Sequence, residues 1–220
     1  KAFGAPAISI DSLAEMVLAE KSVGEVVFNT GMTGYHEILT DPSYTGQIVT
    51  MTYPMIGNYG CDDAWSEIGP EKEGRAGIKP AGFAVRCVYD GPLPKGRISL
   101  DNFLKKHDTP GIYDIDTRAL TIRTRDGGSP NGLLVQPRAG LDALTDEDVK
   151  ICTDTLGKFP RMTGRNLIAD VGVSEPVSVN PEGKFHFLLI DCGIKANIIH
   201  ELEQRNCRIT ILPSTAGMDD

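Results

Sequence analysis

The sequence predicts an α/β chain with α+β character, a mixed first unit followed by the opening of a second. Three observations predict it. Short β-branched runs alternate with amphipathic stretches through residues 1–157. Residues 158–184 carry Gly and Pro at intervals with few apolar clusters, as a linker does. Residues 185–220 then begin strand, helix, strand with short joints. At 220 residues, 40% of them hydrophobic and 24% charged, the chain can bury a sizeable core and has the composition of an ordinary globular protein.

Residues 25–29 (EVVFN) and 47–52 (QIVTMT) are rich in β-branched side chains and bounded by Gly and Pro, which predicts two strands. Between them Tyr35, Ile38 and Leu39 recur at helical spacing, predicting a short helix over 34–40. A strand is expected over 81–89 (AGFAVRCVY), then a helix over 99–107 capped by Ser99. Residues 114–128 (DIDTRALTIRTRDGG) read as a helix that starts at Asp116 or Thr117 and stops at Gly127 and Gly128. An apolar run follows at 132–135, and 142–156 alternates acidic and apolar residues as a helix would.

Beyond the linker, 185–190 (FHFLLI) is a continuous apolar run of the kind found in strands buried on both faces. A helix over 195–205 gathers Ile198, Ile199 and Leu202, and a second strand over 208–212 ends at Pro213. Together they form a βαβ unit whose parallel sheet, with two strands, is incomplete.

Composition excludes several functions. Net charge is −8 with the cations scattered, whereas nucleic-acid binding needs them clustered, so no nucleic-acid partner is expected. No run approaches the roughly 18 apolar residues of a membrane span, and Lys1 leads into a mixed polar segment unlike a signal peptide, so a cytoplasmic protein is expected. Cys61, Cys87, Cys152, Cys192 and Cys207 are odd in number and lack CxxC spacing, which predicts reduced, small buried side chains.

Neither GxxxxGK[ST] nor GxGxxG is present, and His36, His107, His186 and His200 show no ligand spacing, so neither a phosphate loop nor a metal site is expected. Cys192, in IDCGIK at a strand-to-helix joint, is the most tempting nucleophile. A nucleophile elbow needs small residues two before and two after, where this chain has Ile190 and Ile194. Cys192 therefore reads as a small residue at a crowded strand end.

The turn at 41–44 is more informative. Pro42 fixes its own φ and pushes Asp41 towards extended geometry, while the Asp41 carboxylate can bond backbone amides two residues on. Such a rigid turn presents Ser43 and Tyr44, with the Ser43 hydroxyl and amide both facing outward. The residues alone allow two readings, a ligand-orienting serine or a connector whose glycines serve backbone geometry.

The long stretch GEVVFNTGMTGYHEILTDPSYTGQIVTMTYPMIGNYG at 24–60 closely resembles the N-terminal domain of carbamoyl-phosphate synthase small subunits. DIDTRAL at 114–120, the Asn131-Gly132 pair and IDCGIKANIIHELEQRNCRITILPS at 190–214 extend the resemblance over nearly the whole chain. It implies an N-terminal swivelling β/β/α domain (1–157), a linker (158–184) and the first βαβ unit of a flavodoxin-like class I glutamine amidotransferase domain (185–220). It further implies that the second domain hydrolyses glutamine with Cys, His and Glu. The ammonia goes to a large ATP-grasp subunit, which uses ATP and Mg to make carbamoyl phosphate from bicarbonate for pyrimidine and arginine synthesis. In the family the serine of the DPS turn contacts the bound glutamine; here that residue is Ser43.

Departures set further expectations. The family's LEDG-type hairpin precedes the point where this chain opens with KAFGA, leaving an edge partner missing, and the chain stops short of the GxCxGxQ elbow. No catalytic residue is therefore expected in these residues, and by themselves they are expected to be inactive. Residues 66–80 are longer and more charged than the family's connection and are expected to form a surface loop. Cys192 replaces the family's aromatic, a packing adjustment. The expected partners are the large subunit and glutamine, with no cofactor in this chain. A stand-alone interaction module of the same fold is the alternative, and a redox protein using Cys192 would show rapid selective alkylation of that thiol.

Overall fold

The computed structural model describes residues 1–15, 21–62, 66–70, 77–138 and 140–217. The first half runs β1 (Ala2–Gly4), β2 (Ile8–Ser9), β3 (Val23–Asn29), α1 (Tyr35–Thr40), β4 (Gln47–Met51), β5 (Met55–Ile56), β6 (Gly82–Ala84) and β7 (Cys87–Val88). Next come α2 (Leu100–Lys106), β8 (Pro110–Ile112), α3 (Thr117–Gly127), β9 (Asn131–Leu133), β10 (Val135–Gln136) and α4 (Asp146–Lys158). The chain finishes with α5 (Ile168–Val171), β11 (Val177–Val179), β12 (Phe185–Asp191), α6 (Ala196–Gln204) and β13 (Cys207–Pro213).

A curled six-stranded sheet in the order β1-β8-β6-β4-β3-β9 organises the first unit. Its inner pairs β8–β6, β6–β4 and β4–β3 are parallel, and the outer strands β1 and β9 are antiparallel to their neighbours. Leu39, Val49, Met51, Phe83, Phe103 and Leu104 form the main core, where β-branched and aromatic strand residues meet the apolar faces of α1 and α2. On the other face Leu120 of α3 and Leu134 close over Val26, Ile48 and Ala81.

Helix boundaries follow local chemistry. Ser99 caps α2 by accepting from the Asn102 amide at 3.2 Å, and Asp116 caps α3 by accepting from the Ala119 amide at 2.9 Å. The acidic stretch expected to be helical from 142 begins its helix only at Asp146. Thr145 and Asp148 form a capping box there, at 3.2 and 2.9 Å, which fixes the start. Asp148 also meets Arg138 at 2.7 Å. Its carboxyl is held below the usual range, first by the Thr145 amide.

Two expected segments divide. The strand over 81–89 breaks after Ala84; the Val85 amide still donates to the Ile112 carbonyl, exposed Arg86 leaves the buried sheet, and β7 pairs with β5 instead. The apolar run at 132–135 is shared between β9 in the large sheet and β10, which pairs with β2.

In the second unit β12 and β13 run parallel through seven residue pairs, with α6 packed on them. The expected two strands are three, because β11 lies within the segment read as a linker and pairs antiparallel with β13. That segment also carries α5 and buries Val171 and Val173, so residues 158–184 are not bare connection. Polar and Gly-rich neighbours concealed a strand of three residues, too short for periodicity to register.

The largest difference is β12. Its composition predicts burial on both faces, yet it is an outer strand with Phe185 56%, Phe187 41%, Leu188 61% and Ile190 62% exposed. Burial of such a strand requires neighbours on both edges and layers on both faces, and β12 has one strand neighbour here. Ile209 is fully buried at the centre of this unit, so Ile209→Ala in the intact chain is expected to cost about 2–5 kcal/mol in urea unfolding. A loss under about 0.5 kcal/mol would place the core elsewhere.

Candidate functional site

The site is built from the end of α1. Gly34, at φ 83°, admits the chain to the helix, and Tyr59 Oη accepts from the Gly34 and Tyr35 amides at 2.7 and 2.9 Å. After Thr40 the chain straightens at Asp41, which precedes proline and has ψ 120°. Residues Pro42–Tyr44 then make one 3-10 turn. Asp41 Oδ1 accepts the Ser43 amide at 2.9 Å, Thr45 ties back to the Pro42 carbonyl, and Asn29 Nδ2 donates to Tyr44 Oη at 2.9 Å.

Ser43 is exposed on this rigid turn. The expectation that both its hydroxyl and its amide face outward is corrected, because Asp41 occupies the amide and leaves the hydroxyl as the group on offer.

The opposing wall comes from the end of β12. Asp191 is fully buried, and its carboxylate accepts from the amides of Val173, Gly193 and Ile194 at 2.8, 2.9 and 2.9 Å. These bonds turn the chain sharply at Cys192 and Gly193. Gly193 has φ 98°, and a Cβ there would sit 3.0 Å from Val171 Cγ2 and 3.2 Å from Pro42 Cβ. The turn after β12 thus lies directly against the Asp41–Ser43 turn.

An ion pair fastens the contact. Lys195 Nζ meets Asp41 Oδ2 at 2.6 Å, and this hydrogen bond is the main cause that raises the Lys195 pKa. Residues 66–70, expected to be a surface loop, wedge into the same seam. Ile68 is buried, Ala196 donates to the Glu67 carbonyl at 2.8 Å, and a Cβ on Gly69 would lie 2.8 Å from Ala196 Cα. The charged part of that expected loop, 71–76, lies outside the described residues.

Between the two turns is a shallow cavity of about 270 Å³ whose walls include Pro42, Ser43, Met162, Leu167, Val171 and Cys192. Apolar side chains share it with Thr45, Gln47, the Arg165 guanidinium, the Ser43 hydroxyl and the Cys192 thiol. No histidine or carboxylate bonds the Cys192 thiol among the described residues.

His36 is buried against Phe103 and His107 packs on the same ring, whereas His186 meets Thr210 and His200 meets Gln204. Among the described residues no group of three metal-ligating side chains occurs. No described helix is long and apolar enough to cross a membrane.

None of the five cysteines forms a disulfide. Cys61 and Cys207 are buried as expected, whereas Cys152 is half-buried and Cys87 and Cys192 are exposed, a correction to the buried reading. Burial foremost raises the Cys152 pKa, with the Asp148 charge adding to it.

Comparison with known proteins bears on this geometry. The family model for the carbamoyl-phosphate synthase small chain, CPSase domain, matches residues 12–134. The chain belongs to the carbamoyl-phosphate synthase small-chain family. It is 41% identical to the carbamoyl phosphate synthase small chain of Methanopyrus kandleri over 86% of its own length and 50% of that protein. With the Methanocaldococcus jannaschii small chain it shares 41% over 92% of itself and 52% of the relative, and with that of Thermotoga maritima 38% over 91% and 47%. The chain spans about half the length of the curated relatives it matches.

Sequence reasoning singled out Ser43 but missed Lys195, Glu67 and Ile68 as seam residues. No local pattern links positions so far apart in the chain. Two outcomes are expected. A double-mutant cycle of Asp41→Asn and Lys195→Met in the intact chain should show coupling of about 1 kcal/mol in denaturant unfolding, because Lys195 is partly open to solvent. Thiol titration of the native protein should label Cys87 and Cys192 quickly and Cys152 slowly, with Cys61 and Cys207 reacting only in denaturant. Labelling of Cys192 alone would instead favour the redox reading.

Proposed function

We propose that this chain is part of the glutamine-hydrolysing small subunit of carbamoyl-phosphate synthase, with Ser43 contacting the bound glutamine from the first unit. The observation that carries the reading is the placement of the Ser43 hydroxyl on a clamped turn, beside a cavity shared with the strand-to-helix turn at Cys192. A hydroxyl carried on a pre-formed turn contributes to recognition with less backbone ordering at the moment of binding.

In this reading the first unit is the small-subunit N-terminal domain, of the swivelling β/β/α kind. The second is the opening of a flavodoxin-like amidotransferase domain whose Cys, His and Glu lie outside these residues. The apolar row of β12 supports it, since a strand of that composition suits the interior of a larger parallel sheet. Glutamine is hydrolysed in the completed second domain. Ammonia passes to the large subunit, which carries the ATP and Mg chemistry that yields carbamoyl phosphate for pyrimidine and arginine synthesis in the cytoplasm.

Within this chain the steps are binding and orientation. Ser43 Oγ holds the substrate, Asp41 holds the Ser43 backbone, and Lys195 holds Asp41. Ser43→Ala in the intact subunit is expected to raise KM for glutamine about tenfold, while ammonia-dependent synthesis by the assembled enzyme keeps its kcat. Equal loss with both nitrogen donors would overturn the assignment.

A further inference from the structure

Three parallel strands begin around a second cavity. Lys21 precedes β3, Gly46 precedes β4 and Ala81 precedes β6, and with Lys79, Arg165 and Asp170 they border a space of about 320 Å³. Three of these residues are cations and one is a carboxylate, so the lining is positive in a chain whose net charge is −8. It adjoins the Ser43 cavity, with Thr45, Arg165 and Leu167 lining both.

Lys21 is the decisive member. Its ammonium donates to the Ile78 and Pro80 carbonyls at 2.6 and 2.8 Å. An ammonium has three N–H groups, and the third has no acceptor among the described residues. Burial foremost, then the charge of Lys79, lowers the Lys21 pKa to about 8, with Asp108 acting in the opposite direction. Among the described residues the protonated amine therefore has one N–H left to offer a ligand.

Arg165 is placed by the backbone opposite. Its guanidinium carbon lies 5.4 Å from the Phe159 ring centroid, and its Nη1 lies 3.6 Å from where a Cβ on Gly46 would be. Gly46 has φ 75°, and a side chain there would crowd Leu167 and Met162 at 3.3 Å. The glycine keeps the space open between the start of β4 and the guanidinium.

We infer that this cavity binds a phosphate-class oxyanion held by Lys21, Lys79 and Arg165. Two ammonium groups and a guanidinium fork suit a dianionic tetrahedral group better than a single carboxylate, because each donor type finds its own oxygen. Asp170 on the wall and Asp108 near Lys21 oppose the anion, while three cations lie in the lining or its rim. The volume accommodates a phosphate monoester as well as free phosphate. Phosphate binding here and glutamine contact at Ser43 are separate events, and either can fail without the other.

Calorimetric titration of the intact subunit tests it, with inorganic phosphate and glycerol 3-phosphate as separate arms and sodium chloride at matched ionic strength as the control. Saturable binding of one equivalent is expected in at least one phosphate arm. The tighter arm distinguishes free anion from ester. Lys21→Met and Arg165→Gln should each weaken binding about tenfold. Should Lys21→Met fail to fold, the exchange at the cavity rim, Arg165→Gln, carries the comparison.

The pH dependence has a definite sign. Lys21 is protonated below about 8 and neutral above it. Glycerol 3-phosphate stays dianionic from about pH 7 to about pH 9, so its affinity should fall across that interval. Absence of saturable heat with both phosphates up to about 10 mM, wild-type affinity in Arg165→Gln, or affinity that rises with pH would overturn the inference.

Discussion

The Asp41 carboxylate is the interaction on which the arrangement depends. One oxygen accepts the Ser43 amide and so fixes the 3-10 turn, while the other accepts Lys195 from the joint between β12 and α6. Asp41 is buried, so its bond to the Ser43 amide acts in a medium of lowered dielectric, while the Lys195 end of the ion pair is partly open to solvent. The same residue therefore shapes a turn inside one unit and registers that unit against the next. Were the carboxylate replaced by an apolar group, the turn and the seam would loosen together.

Around that pair the seam is assembled by close backbone approach. Gly193 and Gly69 stand where any side chain would meet Pro42, Val171 or Ala196, and Glu67 supplies a carbonyl to the first turn of α6. Thr40 Oγ1 accepts the Glu67 amide at 3.0 Å, which links the end of α1 to the same strip. Three chain segments converge within a few ångströms, and the two cavities beside them share the Thr45, Arg165 and Leu167 wall.

The two units differ in how fully they satisfy themselves. The first has a six-stranded sheet covered on both faces, with Leu39, Val49, Phe83 and Leu104 fully excluded from water or nearly so. The second gathers a smaller core around Ile209 and Ile211 and leaves the apolar row of β12 in contact with solvent. A small sheet cannot cover both faces of its own strands, since surface falls more slowly than volume as a unit shrinks. The exposed row belongs to a strand whose composition is of the kind found in strands buried on both faces.

Much was decided by local chemistry and is visible in the order of residues. Ser99, Asp116 and Thr145 start their helices through bonds to amides three positions on, and Asp41-Pro42-Ser43 sets its turn in the same way. These features depend on neighbours in sequence, so the sequence by itself determined them, together with the alternation of strands and helices and the prominence of Ser43. What lay beyond its reach depended on contacts between distant residues. The pairing of β11 with β13, the exile of Arg86 from the sheet, the exposure of β12 and the closure of Lys195 on Asp41 were settled only in three dimensions. Their physical reason is shared: burial and ion pairing are properties of the space around a group, and the chain must fold before that space exists.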